Sequence, residues 1–498
     1  MKKSIILVAL SALALCGCNL DINDNPNYPD EKQVTPERMF PAAENAIADV
    51  LGDQLFNYGG FFSQYFEQRP EQNQYNSLAE LNIDESSNLF DRCYRLIYAH
   101  ALKDLQTIME KSPNKANHYA CTVLRVWAYQ LMVDNLSDAP YKEALQGKAN
   151  PTPTWEDGKT VLLGVLDELD KAEANIGSDE ITLDDPMLGK DLEQWQGFAN
   201  ALRLRIYMRF IDGGVDVANY TQKAKDLVAN NSFFNNDVTF DVYTDVQNQY
   251  NPWYGAMFAL RTNNFAASFP LVEYYKATQD PRIGYAVAAA TLGGTYVGQL
   301  PGSKVKMKEW RNGVDWKNRD VSRIKAEVAK AMPIYVFTAS ELLFLKAEVQ
   351  LRFNNDAAAA KTNYEAAVKA DFSSRGMTSS NATTYLAYDN VKFDGKTTEQ
   401  QLNLIYMQKW LAFFMRNHME AWSEIRRTDV PKTCSFTAKE VFDGAAYNAG
   451  DLIVPAVNHI QAGGLAKRVP YPNSARTLNP KNTPEEKKLS DPVFWDVK

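Results

Sequence analysis

No apolar run in this chain of 498 residues reaches the roughly 20 residues that a bilayer-spanning helix needs. Nothing in it therefore predicts a protein that crosses a membrane. Histidine is scarce, with four residues at positions 100, 118, 418 and 459. They are far apart and form no His-Glu-x-x-His zinc helix. His100 falls on a helical stripe and reads as a structural histidine. Cysteine is scarce too, at five residues. Cys16 and Cys18 lie in the leader, so Cys93, Cys121 and Cys434 remain. An odd number without a Cys-x-x-Cys pair gives neither a disulfide scaffold nor a zinc site. Cys93 and Cys121 fall on apolar helix faces, where a small buried thiol is expected.

Positive charge is in deficit, with 53 Lys and Arg against 61 Asp and Glu. Loss of Lys2 and Lys3 with the leader takes the net charge from −8 to about −10. An acidic surface repels phosphate backbones, which argues against a nucleic-acid partner. Catalytic signatures are missing as well. There is no Gly-x-Ser-x-Gly elbow. Gly158-Lys-Thr160 and Gly395-Lys-Thr397 resemble the end of a phosphate loop, but Pro153 and Asn390 stand where its first glycine belongs. Gly293-Gly294 with Gly298 lacks dinucleotide spacing. A glycosidase needs two carboxyls about 5–10 Å apart, and sequence alone singles out no such pair. Asp184-Asp185, before a proline, reads as a solvated turn. The chain is expected to have no catalytic residues, to need no cofactor and to hold no metal.

What is present begins at the leader. Lys2 and Lys3 precede an apolar run from Ile5 to Leu15, a charged region and a core of signal-peptide length. The junction Leu15-Cys16-Gly17-Cys18 resembles the bacterial lipoprotein signal, so residues 1–17 are expected to be removed and Cys18 to carry lipid. Each buried methylene contributes about 0.8 kcal/mol, so two or more chains anchor stably. The membrane is then met by a lipid anchor only. Residues 18–35, rich in Asn, Asp and Pro, read as a tether.

Helical periodicity dominates the rest. Thr35-Pro36 predicts a helix start, with Met39, Ala43, Ala46, Ile47 and Val50 on one face. Residues 58–75 form an aromatic, glutamine-rich segment of little periodicity. Leu89, Cys93, Leu96 and His100, then Leu105 and Ile108, mark a helix that ends at Ser112-Pro113. Cys121, Leu124, Ala128 and Leu131 mark a second, and the pair predicts an antiparallel hairpin. Further helices carry Leu162 to Ile176, Trp195 to Phe210, Ala339 to Leu351 and Asp356 to Ala370. One long helix is expected from Glu399 to Arg427, before Pro431. These pairs suggest a stack of degenerate tetratricopeptide-like hairpins, about four.

The predicted fold is therefore dominated by α-helix, with those hairpins packed against a loop-rich lobe holding short β segments. The helical blocks are 36–230 and 336–430; the irregular ones are 231–335 and 431–498. Long irregular segments inside a compact chain tend to be functional, so residues 231–335 are expected to bind ligand. Aromatics make up 12% of the chain, and several lie in these loops. An aromatic ring beneath a pyranose removes its C–H face from water, while Asn, Gln, Asp and Arg bond the hydroxyls. Trp253, Tyr254, Tyr296, Trp310 and Trp316 are the candidate ligand-binding residues. Each could instead pack beneath its own loop.

These residues together resemble the SusD/RagB group of outer-membrane lipoproteins, in particular its second SusD-like branch. The likeness runs over nearly the whole chain. It includes Cys18-Asn-Leu-Asp-Ile-Asn-Asp-Asn-Pro-Asn27, and Trp127-Ala-Tyr129 followed by Asp134-Asn-Leu-Ser-Asp-Ala-Pro-Tyr141. Asp280-Pro-Arg282 and Tyr296-Val-Gly298 also fit, as do Ala339-Ser-Glu341 through Glu348. So do Gln408-Lys-Trp410, Glu420-Ala-Trp422, Arg426-Arg427 and Arg468-Val-Pro-Tyr-Pro472. Asn135-Leu136 departs from the family's aromatic-glycine step. The resemblance implies four tetratricopeptide-like units, a cell-surface location in the outer membrane, and a SusC-like TonB-dependent barrel as partner. The lipoprotein would cap that barrel as a hinged lid, delivering oligosaccharide, or alternatively peptide, to the pore. A tetratricopeptide adaptor for a protein tail and a surface hydrolase are the remaining readings. The motif positions themselves look structural, and the resemblance assigns no ligand contact to them.

Overall fold

A computed structural model describes residues 34–84, 86–461 and 463–497. The leader 1–17, the proposed lipid site Cys18 and all but the last two residues of the 18–35 tether lie outside them. The principal helices are α1 (Pro36–Val50), α2 (Phe56–Phe62), α3 (Lys103–Lys111), α4 (Lys115–Leu136), α5 (Gly158–Ala174), α6 (Leu192–Asp212) and α7 (Val217–Asn230). They continue with α8 (Phe269–Ala277), α9 (Ala339–Phe353), α10 (Ala357–Ser374), α11 (Thr398–Phe413) and α12 (His418–Thr428). The fold is helix-dominated, as expected. Helices adjacent in sequence pack as pairs: α4 on α5, α6 on α7, α9 on α10.

Local chemistry sets the helix ends. Asn114, Asp157, Thr338 and Asp356 each accept a backbone N–H from the first turn of α4, α5, α9 and α10, satisfying donors that lack an intrahelical partner. Gly158-Lys-Thr160 is the first turn of α5, not a phosphate loop. Its glycine is required because a Cβ there would strike the Ser137 carbonyl oxygen. Ser137 itself, at φ 70°, takes the left-handed step that glycine usually fills. The departure from the family pattern, expected at Asn135-Leu136, thus falls at Leu136-Ser137.

Two helical expectations need correction. The helix through Cys93 runs on to Lys111 but passes through a π-helical turn, Leu96–Leu102. Such a turn inserts a residue and rotates every later turn of the helix. Ile97, Ala101 and Leu102 are buried, whereas His100 points to solvent. The single long helix expected over 399–427 is two, α11 and α12. Met415 has φ 57° and donates its N–H to His418 Nε2 at 2.8 Å. Asn417 then caps α12 by accepting from Glu420 N–H. The chain turns because buried polar groups offer the backbone better partners than a continuous helix would.

The irregular lobe is held by a four-stranded antiparallel sheet, in the order β1 (Phe66–Gln68), β2 (Phe265–Ala267), β3 (Arg323–Ile324) and an edge strand Val287–Ala288. Val238–Phe240 pairs with Ile334–Phe337, closing the lobe where the helices resume. The C-terminal segment folds back onto the helices. Trp495 is buried and donates to Asp134 at 3.0 Å. Cys93, Cys121 and Cys434 are buried free thiols.

Beneath the loops lies a lattice of buried charge. Arg209, fully buried, donates to Asp134 at 3.1 Å, to Glu420 at 2.8 Å and to Glu424 at 3.3 Å. Arg427 joins Glu348 and Glu424, each at 2.7 Å, and Arg205 pairs with Glu341 at 2.6 Å. Burial pushes the Glu348 carboxyl up, but Arg427, Lys409 and Arg352 outweigh it and hold it well below the usual carboxylate range. A second cluster joins Arg282 to Asp280 and Asp371, with Arg375 on Asp371 at 2.9 Å. Most of these charges come from the sequence motifs named above. Their shared task is structural: they tie helices together where an unpaired charge would be costly.

Candidate functional site

Loop 289–322 rises from the sheet between Val287–Ala288 and β3. Gly298 is pressed against Phe269, whose Cα a Cβ there would strike, so the loop begins rigidly. Trp316 donates its indole N–H to the buried Gln299 at 2.6 Å. The Arg311 guanidinium lies 4.8 Å from the centroid of that ring, and Arg311 also donates to the Asp315 carbonyl at 2.7 Å. Trp316 is half-buried, so its edge and stacking partner are fixed while part of the ring meets solvent. Such a cation–ring contact contributes about 0.5–1 kcal/mol when exposed.

Trp310 is also half-buried and tilts against Phe442, with centroids 5.5 Å apart. It sits over a small apolar cluster containing Leu300, Cys434, Ala438 and Ile453. Tyr296 is half-buried, its hydroxyl lying beside Gly284. The loop also exposes Leu292, Val305 and Val314. Lys308 and Lys317 pair with Asp315 at 2.9 and 3.8 Å; the Lys308 hydrogen bond and charge hold the Asp315 carboxyl below its usual range. One loop therefore carries Tyr296, Trp310 and Trp316.

The other two candidates separate from these. Trp253 is a core residue and no ligand platform: it is fully buried, stacked on Phe66 at 5.4 Å and edge-on to Phe258 at 4.9 Å. Asn251 caps its helix and turns the indole inward. Tyr254, the next residue, is half-buried and packs edge-on against Tyr250 at 5.0 Å. Among the described residues no ring contact links it to Trp310 or Trp316.

A polar rim comes from a distant stretch that the sequence did not mark as functional. Arg69 donates to the carbonyls of Asn263 and Asn318 at 3.2 and 3.3 Å. Glu71 and Asn318 exchange two hydrogen bonds at 3.2 and 2.9 Å. The Lys304 ammonium is cradled by the Gln72 carbonyl, Asn73 and Asn76, and its burial lowers its pKa. Segment 69–76 is thereby clipped to the ring-bearing loop, with Asn73 and Gln74 exposed. The only sequence signal was its run of glutamines and asparagines. Ring faces beside amide edges can bind a molecule with apolar faces and hydroxyl edges. Among the described residues no three His, Cys, Asp or Glu are arranged to hold a metal.

A family model described as "Starch-binding associating with outer membrane" matches residues 26–447. The chain belongs to this SusD-like family. No curated protein matches it. Solved SusD-like structures share its fold. A Bacteroidetes SusD-like protein superposes with a TM-score of 0.72 at 20% identity, covering 93% of this chain and 100% of the other. A SusD homologue from Bacteroides uniformis gives 0.70 at 21% identity, covering 92% and 99%. A chitin-binding SusD homologue from Flavobacterium johnsoniae gives 0.70 at 23%, covering 93% and 98%. The SusD-like family is thus one of glycan binding in association with the outer membrane. No helix among the described residues is long and apolar enough to cross a membrane.

Proposed function

We propose that this SusD-like protein is a cell-surface lipoprotein, anchored through Cys18, that captures oligosaccharide and caps a SusC-like TonB-dependent barrel for import. It performs no chemistry on its cargo. The observation that carries the reading is loop 289–322, where Trp310 and Trp316 stand half-exposed, Trp316 is held on Gln299, and Asn318, two residues further on, is clipped to Glu71 of the polar segment 69–76. Stacking a sugar face on such a ring removes apolar C–H surface from water, about 25 cal/mol per Å². Gly298 pressed on Phe269, the Trp316–Gln299 bond and the apolar cluster beneath Trp310 hold the platform, so little ordering cost opposes binding. The 18–35 tether would keep the lid at high effective concentration near the barrel rim when it opens.

Peptide cargo is the second reading, favoured by the alternating charges Lys308, Asp315 and Lys317 around Trp316. Native electrophoresis in gels containing starch or soluble chitin separates the two. Retarded migration that Trp316→Ala or Trp310→Ala abolishes supports glycan. Unretarded wild-type protein that instead binds a peptide mixture supports the alternative. Co-purification of a large barrel protein in mild detergent tests the lid. Recovery of the lipoprotein alone from gently solubilised membranes counts against it.

A further inference from the structure

A second open cleft lies away from the ring-bearing loop, between the N-terminal half of α11, the end of α8 and residues 430–451. Its volume is about 750 Å³, within the range of about 300–1,000 Å³ typical of small-molecule sites. Nothing in the reading above uses it.

Its floor is apolar and its walls are neutral amides. Tyr274, Leu404, Met407 and part of Tyr406 form the floor. Gly450, at φ +97°, seals one side, since a Cβ there would lie 2.7 Å from Met407 Cε and 2.8 Å from Tyr274 Cδ2. Asn390, Asn403 and Asn448 stand exposed on the walls. Asn390 donates its amide N–H to the Ala277 carbonyl at 3.0 Å, and its Oδ1 remains an acceptor. Asn448 is braced against Asp451 at 3.3 Å. The charges cancel, with Lys396 and Lys432 against Glu399 and Asp451.

We infer that this cleft is a second binding site for a neutral oligosaccharide. An apolar floor takes the C–H faces of a sugar, and amides bond its hydroxyls from the sides. Balanced charge gives the opening no net field to draw in an anion, and a peptide is the competing occupant that the test below includes. The cleft and the ring platform share their supports. Trp310 packs on Phe442 and Phe269 on Tyr447 at 5.2 Å. Both partners belong to the 436–447 stretch that continues into the cleft wall at Asn448. The protein would thus hold one glycan chain at two points, or two chains at once.

This inference rests on the glycan reading but can fail separately from it. The test is titration calorimetry of the full mature chain with chitin and malto-oligomers, from trimer to octamer. The variants are Trp316→Ala at the platform and Asn403→Ala with Asn448→Ala in the cleft, with thermal melts confirming that each is folded. Wild-type protein is expected to bind two trimers. The cleft variant should keep one, with its second site weakened roughly tenfold or more, as loss of two hydrogen bonds implies. Trp316→Ala should keep the other. If the cleft variant binds trimers as wild type does while Trp316→Ala binds none, the platform stands and the cleft site is overturned. If Trp316→Ala binds as wild type and the cleft variant loses binding, the cleft stands and the platform reading falls. A neutral peptide such as hexa-alanine occupying the cleft in place of sugar overturns the inference. So does a wild-type protein that binds none of the oligomers.

Discussion

His418 is tied to Phe56 twice: its Nδ1–H donates to the Phe56 carbonyl at 2.9 Å, and the two rings stack 3.7 Å apart. Met415 N–H donates to Nε2, which fixes the neutral tautomer. Burial pushes the His418 pKa down to about 3. The unfolded chain takes up this proton near its ordinary value of about 6.5. The native state is therefore favoured in full above that pH, and the contribution is lost as pH falls from about 6.5 towards 3. The limiting slope is about 1.4 kcal/mol per pH unit. Urea unfolding between pH 4 and 7 should show a flatter acid limb for His418→Gln than for wild type. Parallel limbs would contradict this assignment.

Glu44 works in the opposite direction. It is fully buried on α1, and burial, with the Asp185 carboxyl beside it, raises its pKa well above the usual value. The folded chain keeps a proton that the unfolded chain releases near pH 4.5, so this contribution falls as pH rises. Glu44→Gln should raise the melting temperature at pH 8 and change it little at pH 4.

Arg427 holds Glu348 and Glu424 together and reaches Asp212. Removing it takes from Glu348, Glu424 and Asp212 a cation that all three share, leaving Lys409, Arg352 and Arg209 to balance them. Arg427→Ala is expected to cost about 3–5 kcal/mol, read as a shifted urea midpoint. Arg427→Lys should recover only part of that loss, because a point ammonium cannot bridge several carboxylates as a planar guanidinium does.

Trp253 and Trp316 should part company under the same substitution. Trp253→Ala empties a fully buried ring site and is expected to cost about 3–5 kcal/mol. Trp316→Ala removes a half-exposed ring and should lower glycan retention in native gels while moving the melting temperature by a few degrees at most. Equal stability losses would place Trp316 in the core as well.

The helices were legible because amphipathic stripes such as Leu162 to Leu169 persist over several turns, and start signals such as Thr35-Pro36 are local. The break at Met415 was not, because its cause is the contact of His418 with Phe56, 362 residues away in sequence. Trp253 read as a surface ring because its flanks, Asn251-Pro252 and Gly255, have loop composition; only tertiary packing shows that the loop folds inward. Trp310 and Trp316 did share one loop, whereas the rim from segment 69–76 escaped notice. Its partner Asn318 lies 247 positions away, and glutamine-rich composition carries no register. The motif charges were read as structural, which their burial explains, yet their assembly into one lattice requires five helices to meet.

That lattice takes no residue from loop 289–322. Insertions, deletions or new rings in the loop would leave the helical frame's folding energy almost untouched. On the reading proposed above, one helical chassis can therefore be re-equipped for different oligosaccharides by editing the exposed positions of that loop, while the packed helices stay constant.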